Sequence, residues 1–129
     1  MRTFWIIFCL MFSISAYSQE KVECEEIVKA IKNGEVNELS PFLANNVECD
    51  FFGKSNVYSK AQTVQVLKDF FTQNKPKQFK VIHQGGQGKI KFIIGSYQSV
   101  PGKQFRISIF FKQQEGEKNK IQQIRIEND

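Results

Sequence analysis

The feature that most constrains the fold of this chain is a change of hydrophobic period near Pro76. Before it, segments 22–32 and 60–73 carry apolar residues three and four positions apart, which is typical of amphipathic helices. After it, apolar and polar residues alternate in four segments that glycine or proline separates, namely 78–84, 89–99, 104–114 and 119–127. Helices followed by an antiparallel meander predict an α+β domain.

The region between the first helix and Pro76 contains shorter elements. Residues 36–43 predict a brief second helix, and the alternation in 47–52 predicts a half-buried strand, with a turn at 53–57. Ser59-Lys60-Ala61-Gln62 fits a capping box, in which serine and glutamine satisfy backbone N–H groups at a helix start. A third helix is therefore expected to begin at Lys60.

The first eighteen residues have the order of a secretory signal peptide. Arg2 precedes an apolar block at 4–12, and small residues follow, including Ala16 and Ser18 at the positions that a signal peptidase reads. The block is too short to cross a bilayer as a helix. We therefore predict a signal peptide at 1–18 and one domain at 19–129, exported to the periplasm or secreted, with no transmembrane anchor after cleavage.

The charge of the mature chain is modest. The full chain has a net charge of +5, and loss of Arg2 lowers it to +4. Residues 20–50 are mainly acidic, whereas residues 51–129 are mainly basic. Because strong binding to nucleic acid or a polyanionic glycan needs a larger basic excess, the sequence disfavours both partners.

Cys24 and Cys49 are the two cysteines that follow the predicted cleavage site. An oxidising compartment would allow them to form a disulfide. Each also lies on an apolar stripe, where a reduced cysteine behaves as a small buried hydrophobic residue. Both alternatives stay open at this stage.

The order of elements resembles the NTF2-like fold, also called cystatin-like. The landmarks are 33–39 before an apolar strand and 57–62 at the start of the third helix; 79–83 and 124–127 are similar to an uncharacterised family of small exported NTF2-like proteins from Bacteroidota. The resemblance implies a cone of three N-terminal helices packed on a strongly curved, mostly antiparallel sheet. It implies no single function, since this fold hosts enzymes, ligand carriers and interaction modules.

Catalysis in this fold would require an acid or base between the helices and the sheet. His83 shares the alternation phase of Phe79 and could face inward, with Asp50, Tyr58 or Tyr97 as its partner. Alternation, however, directs Asp50 outward. One histidine and two cysteines make a poor metal site, and the sequence indicates no cofactor.

Strand alternation divides the remaining candidates between two faces of the sheet. The expected ligand pocket between helices and sheet is lined by Phe51, Phe70, Phe79, His83, Phe92 and Phe105. The expected dimer or anion face on the other side carries Lys80, Ile82, Lys91, Ile93, Tyr97, Arg106, Phe110, Lys112 and Arg125. A face that mixes charges with large apolar groups is typical of an interface.

These observations favour a non-catalytic exported module that binds a small apolar ligand or a partner protein and forms a homodimer through the sheet face. The alternative is an isomerase or lyase of the ketosteroid-isomerase type that uses His83 in the pocket. A fully solvated sheet face is the third interpretation.

Overall fold

The structure is a computed structural model that describes residues 21–113 and 119–129, with side chains from Glu25 onward. The predicted signal peptide and the side chain of Cys24 lie outside these described residues. Their assignment therefore stays a prediction from the sequence.

Three α-helices and six strands make up the described chain. The helices are α1 (Lys21–Asn33), α2 (Val36–Leu39) and α3 (Lys60–Gln73), and a 3-10 turn spans Ser40–Phe42. The strands are β1 (Leu43–Phe51), β2 (Lys54–Ser59), β3 (Pro76–Gln87), β4 (Ile90–Ser99), β5 (Gln104–Lys112) and β6 (Lys120–Asn128). The predicted α+β class is confirmed, but the helices are not all N-terminal, because α3 follows two strands.

The strands form one curved sheet in the order β2-β1-β6-β5-β4-β3. Strands β3 to β6 are the predicted antiparallel meander. Strand β1 pairs in parallel with β6 and antiparallel with β2, so the sheet is mixed. This parallel pair joins the first strand to the last one, and no local sequence pattern encodes it.

The predicted turn at 53–57 is wrong, because β2 occupies most of it. Phe52 and Gly53 both have positive φ, 55° and 85°, and form a two-residue turn that pairs Phe51 with Lys54. Two positive φ values match the twist of a tight hairpin. This hairpin was not predicted, because Phe52 is not a usual turn residue and Lys54 begins a largely polar strand.

The capping box at the start of α3 is confirmed. The hydroxyl of Ser59 accepts from the backbone N–H of Gln62 at 3.2 Å, and the Gln62 side chain accepts from the Ser59 N–H at 3.0 Å. Thr63 in the first turn donates to the Ser59 carbonyl at 2.8 Å. These bonds fix where α3 begins and therefore which of its side chains reach the sheet.

The core lies between the helices and one face of the sheet, which we call the inner face; the opposite face is the outer face. Strand β1 directs Val47 and Cys49 inward, at 0% and 1% exposure. Helix α3 contributes Leu67 and Phe70, and β5 contributes Ile107. The core is thus built from alternate residues of β1 and β5 and from one side of α3.

Candidate functional site

The inner face is filled by aromatic side chains. Phe70 of α3 contacts Tyr97 and Phe105, with ring centroids 5.6 and 5.2 Å apart. Phe71 contacts Tyr97 at 5.8 Å, and Phe79 contacts it at 6.5 Å. Edge and tilted contacts of this kind are the usual packing of aromatic cores. Tyr97 therefore lies at the centre of a packed cluster.

Tyr97 is fully buried, and its hydroxyl donates to the backbone carbonyl of Asn74 at the end of α3. Burial raises the pKa of this phenol. The group therefore keeps its proton at neutral pH and ties β4 to the end of α3. Its placement on the outer face by alternation is wrong.

The side chains of β4 face the sides of the sheet opposite to those predicted. Ile93 and Tyr97 are buried at 1% and 0% exposure, whereas Phe92 and Ile94 are only partly buried and face outward. Large side chains occur on both sides of this strand, so alternation alone assigns no inward face. Gly95 settles the phase, because its missing side chain leaves room for the ring of Phe79 on the inner face.

His83 lies on the outer face because β3 contains a bulge. Val81 pairs with Gly95 and His83 pairs with Ile94, so Ile82 is an extra residue without an opposite partner. One inserted residue reverses the facing of every later side chain in the strand. His83 is exposed and its ring lies 5.6 Å from that of Phe92. The predicted inward direction of His83 is therefore wrong.

The candidate partners of His83 do not join it. Asp50 is on the outer face of β1, where its Oδ2 lies 3.4 Å from Nε of Arg125. Tyr58 pairs with Val47 on the inner side, and Tyr97 lies beneath α3. Four strand spacings, about 19 Å, separate the strands of Asp50 and His83. The acid–base pair required by the isomerase alternative is not assembled.

The predicted pocket residues consequently divide between the two faces. Phe70, Phe79 and Phe105 are buried in the aromatic cluster, and Phe51 lies partly buried against the core. Phe92 and His83 are on the outer face. The predicted set therefore does not line one pocket.

The outer face can be described as rows of side chains across β6, β5, β4 and β3, because residues paired in register share a face. Four rows are defined by the pairing: Glu127–Arg106–Ser96–Lys80, Arg125–Ser108–Ile94–His83, Gln123–Phe110–Phe92–Gly85 and Lys120–Lys112–Ile90–Gln87. Phe92 and Phe110 are adjacent, with ring centroids 6.2 Å apart. Ile90 beside them is 59% exposed. The centre of this face is therefore apolar.

Of the residues predicted on the dimer or anion face, five lie on the outer face of the sheet and three do not, and the binding role of this face stays a prediction. Lys80, Arg106, Phe110, Lys112 and Arg125 lie on the outer face, whereas Lys91, Ile93 and Tyr97 have the inner phase. Ile82 is the bulged residue and is 52% exposed. Lys91 is therefore not part of the observed face, but Lys120 of β6, which was not predicted there, is.

The sulfur of Cys49 is buried below α3 and is not paired with any cysteine whose side chain the structure describes. Burial raises its pKa, and a hydrogen bond with Thr63 opposes that rise. Helix α1, which contains Cys24, packs on β3, and three strands lie between β3 and β1. The side chain of Cys24 is not described, so the pairing stays a prediction.

Two surface depressions were not predicted from the sequence. A groove of about 740 Å³ lies between the α1–α2 turn and the end of α3, with Phe71, Pro76 and Val100 among its apolar lining and Glu35 and Glu38 on the turn side. A hollow of about 250 Å³ is lined by Glu48, Ile90, Phe110, Phe111, Gln122 and Gln123. Both form from segments distant in the chain, so local patterns give no signal for them.

Within the described ranges, no cluster of three or more His, Cys, Asp or Glu side chains could hold a metal ion. Over the same residues, none of the helices has the length and hydropathy needed to cross a membrane.

Comparison with known proteins shows which protein family this chain belongs to. Residues 24–127 match the model of a domain of unknown function, DUF4783. The chain belongs to the DUF4783 family. A DUF4783 structure from Bacteroides ovatus is 33% identical with a TM-score of 0.76, and the match covers 81% of this chain and 93% of that chain. The predicted resemblance to a family from Bacteroidota is thereby confirmed.

Other structures extend the likeness of this DUF4783 domain. A family member from Bacteroides fragilis is 32% identical with a TM-score of 0.75, covering 81% of this chain and 96% of that chain. An NTF-2 like protein of unknown function from Silicibacter pomeroyi is 15% identical with a TM-score of 0.62, covering 85% and 92%. The latter shows the NTF2-like fold alone. Curated proteins gave no match.

Proposed function

We propose that this DUF4783 protein is an exported, non-catalytic binding module that associates with a second copy of itself through the outer face of its sheet. The observation that carries the proposal is the adjacent pair Phe92 and Phe110, whose rings lie 6.2 Å apart on the side of the sheet away from the helices. Partly exposed aromatic side chains at the centre of a sheet face are typical of interface cores.

The packing of the inner face supports a non-catalytic role. Phe70, Tyr97 and Phe105 fill the space between the helices and the sheet, where the isomerase alternative expects a pocket, and the phenol of Tyr97 is bonded to the backbone of Asn74. His83 lies on the opposite side of the sheet. The same packing favours the sheet face over the interior as the binding surface, and so favours a macromolecular partner over a small apolar ligand.

The charges of the outer face support a second copy as the occupant. Acidic Glu48, Asp50 and Glu127 occur on the same face as basic Lys80 and Arg106. A face that carries both signs can complement itself in a two-fold dimer, in which the same patch is used by both subunits. A single-sign face would instead repel its own copy.

Sedimentation of the mature chain over a range of micromolar concentrations tests this function. Ile90→Asp and Val100→Asp are matched variants, since the two side chains are 59% and 61% exposed and only Ile90 lies on the outer face. We expect the wild type and Val100→Asp to dimerise reversibly, and Ile90→Asp to be monomeric. A wild type that stays monomeric at several hundred micromolar, or equal loss in both variants, would contradict the proposal.

A further inference from the structure

The groove between the α1–α2 turn and the end of α3 is separate from the outer face of the sheet. None of its described lining residues belongs to the four rows that define that face. Its volume of about 740 Å³ corresponds to a space about 9 Å in each direction if its dimensions are equal, which is the size of a small-molecule site. A ligand in this groove would therefore leave the outer face free.

The α1–α2 turn forms one firmly held wall of the groove. The N–H of Gly34 donates to the carbonyl of Ile31 at 3.1 Å, and the N–H of Glu35 donates to the carbonyl of Ala30 at 2.8 Å. These are the two hydrogen bonds of a Schellman motif, in which Gly34 has a φ of 68°. A β-carbon added to Gly34 would lie 3.1 Å from Cγ of Pro76, so the turn packs directly on the start of β3.

The other side of the groove is also fixed by the backbone, and the floor is apolar. Val100, between β4 and β5, donates its N–H to the carbonyl of Lys75 at 2.8 Å. Val36 and Phe71 line the groove at only 4% and 7% exposure, so they form its floor. The side chain of Val100 is 61% exposed at the rim. A preformed groove of this kind favours a ligand with apolar groups, because binding needs no opening of the fold.

The two walls of the groove carry opposite charges. Exposed Glu35 and Glu38 belong to the α1–α2 side, whereas exposed Lys68 and Lys75 belong to the α3 side. Within the described residues, neither lysine is part of an ion pair. A hydrogen bond with Glu38, and then its negative charge, raise the pKa of Glu35, so a positive group beside them would relieve their repulsion. The groove therefore complements a ligand that is positive at one end and negative at the other.

We infer that the groove binds a short peptide with free termini and apolar side chains. The ammonium group of the peptide lies on the wall of the two glutamates, its carboxylate lies on the wall of the two lysines, and its side chains cover Phe71 and Val100. An extended chain spans at most about 3.3–3.6 Å per residue, so about three residues match the length of the groove. This inference does not rest on dimerisation, because the groove and the outer face share no described residue.

The tripeptide alanyl-leucyl-alanine is a suitable probe, because its terminal charges can be removed one at a time. N-acetylation removes the positive charge, and C-amidation removes the negative charge. Titration of the chain produced from residue 19, followed by NMR chemical shifts, is expected to show millimolar or tighter binding of the free peptide, with shifts at the amides of Gly34 and Val100. Either modification should weaken binding about two- to fivefold, the usual contribution of an exposed ion pair.

Paired substitutions test which wall binds which terminus. The double variant Glu35→Gln, Glu38→Gln should bind the free and the N-acetylated peptide equally, and should still distinguish the C-amidated one. The double variant Lys68→Gln, Lys75→Gln should show the reverse behaviour. All four side chains are exposed, so the fold is expected to tolerate both changes.

Two further double variants control for net charge. Glu25→Gln with Glu26→Gln, and Lys54→Gln with Lys89→Gln, remove the same charges from exposed positions that do not line the groove. Both are expected to distinguish the free and modified peptides as the wild type does. Control variants that lose this discrimination to the same extent as the groove variants would overturn the inference.

The remaining outcomes separate this inference from the proposed function. No binding of the tripeptide at millimolar concentration, or equal binding of the free and modified peptides, would overturn the peptide site and leave the outer-face dimer standing. Free leucine has both charges but spans only one residue, so leucine that binds as tightly as the tripeptide would also overturn it. A wild type that binds the tripeptide as expected and stays monomeric would overturn the dimer alone.

Discussion

The ring of Phe79 occupies the space that a β-carbon on Gly95 would need, so a strand residue without a side chain is required beneath this aromatic ring. Phe79 is buried at 4% exposure and cannot move outward without opening the core. On the outer face, Gly85 has a similar relationship to Phe92, whose Cζ would lie 3.0 Å from an added β-carbon. The two glycines therefore form a matched pair.

We predict that Gly95→Ala destabilises the fold by about 1–3 kcal/mol, the usual cost of overpacking a core. Gly85→Ala should change the free energy of unfolding by less than about 1 kcal/mol, because the partly exposed ring of Phe92 can turn aside. Urea denaturation of both variants measures this difference. Equal destabilisation would mean that Phe79 is no more confined than Phe92.

Removal of the Tyr97 hydroxyl should weaken the link between β4 and the end of α3. Tyr97→Phe leaves the Asn74 carbonyl without its donor and should cost about 1–2 kcal/mol in the free energy of unfolding. Tyr58→Phe, at a partly buried position near the edge of the core, is the control and should have a smaller effect. A Tyr97→Phe variant as stable as the wild type would show that the bond contributes no net stability.

Glu35 and Glu38, which line the groove between the α1–α2 turn and the end of α3, interact in a way that depends on pH. A hydrogen bond with Glu38, and then its negative charge, raise the pKa of Glu35 above its ordinary value of 4.5. A carboxyl group whose pKa is raised by folding stabilises the fold below its unfolded-state pKa, and this stabilisation is lost as pH rises through the folded-state pKa. At neutral pH the two charges therefore repel.

Glu38→Gln should accordingly raise the melting temperature at pH 7, and the gain should shrink as the pH approaches 4. Thermal unfolding followed by circular dichroism measures both values. Glu26→Gln makes the same change of charge on the exposed side of α1 and controls for net charge. A gain that is independent of pH would contradict the Glu35–Glu38 interaction.

Cys49 should be unreactive in the native protein because its thiol is buried and its pKa is raised. In a Cys24→Ser variant, a maleimide reagent is expected to label Cys49 only after denaturation. In wild-type protein produced from residue 19 and denatured without reductant, we expect two reactive thiols, because α1 packs on β3, which three strands separate from β1. No reactive thiol would instead establish the Cys24–Cys49 disulfide.

Much of this fold was accessible from local sequence. The capping box at Ser59 placed the start of α3, and alternation identified the four strands of the meander and the inward residues of β5. The segments that are similar to the family, 79–83 and 124–127, are also short and local. These features depend on residues within about one or two turns of each other, where propensity and spacing act directly.

The candidate site was harder to predict from the sequence, because it depends on which side chains of β3 and β4 face inward. Ile82 forms a bulge only because Gly95 and Ile94 of β4 pair with the residues on either side of it. Likewise, β4 has large side chains in both phases, and the ring of Phe79 from another strand decides which phase faces inward. Neither interaction can be recognised within a single segment.

The sequence by itself determined the α+β class, the boundaries of most elements and the family resemblance. The tertiary structure alone decided that His83 lies outside, that Tyr97 lies inside and that Phe92 joins Phe110 on the outer face. The physical reason is that successive side chains in a strand face opposite sides of the sheet. One inserted residue therefore exchanges the two faces, and a strand with large side chains on both sides does not indicate which side faces inward. Only the pairing with neighbouring strands determines which side chains face the core.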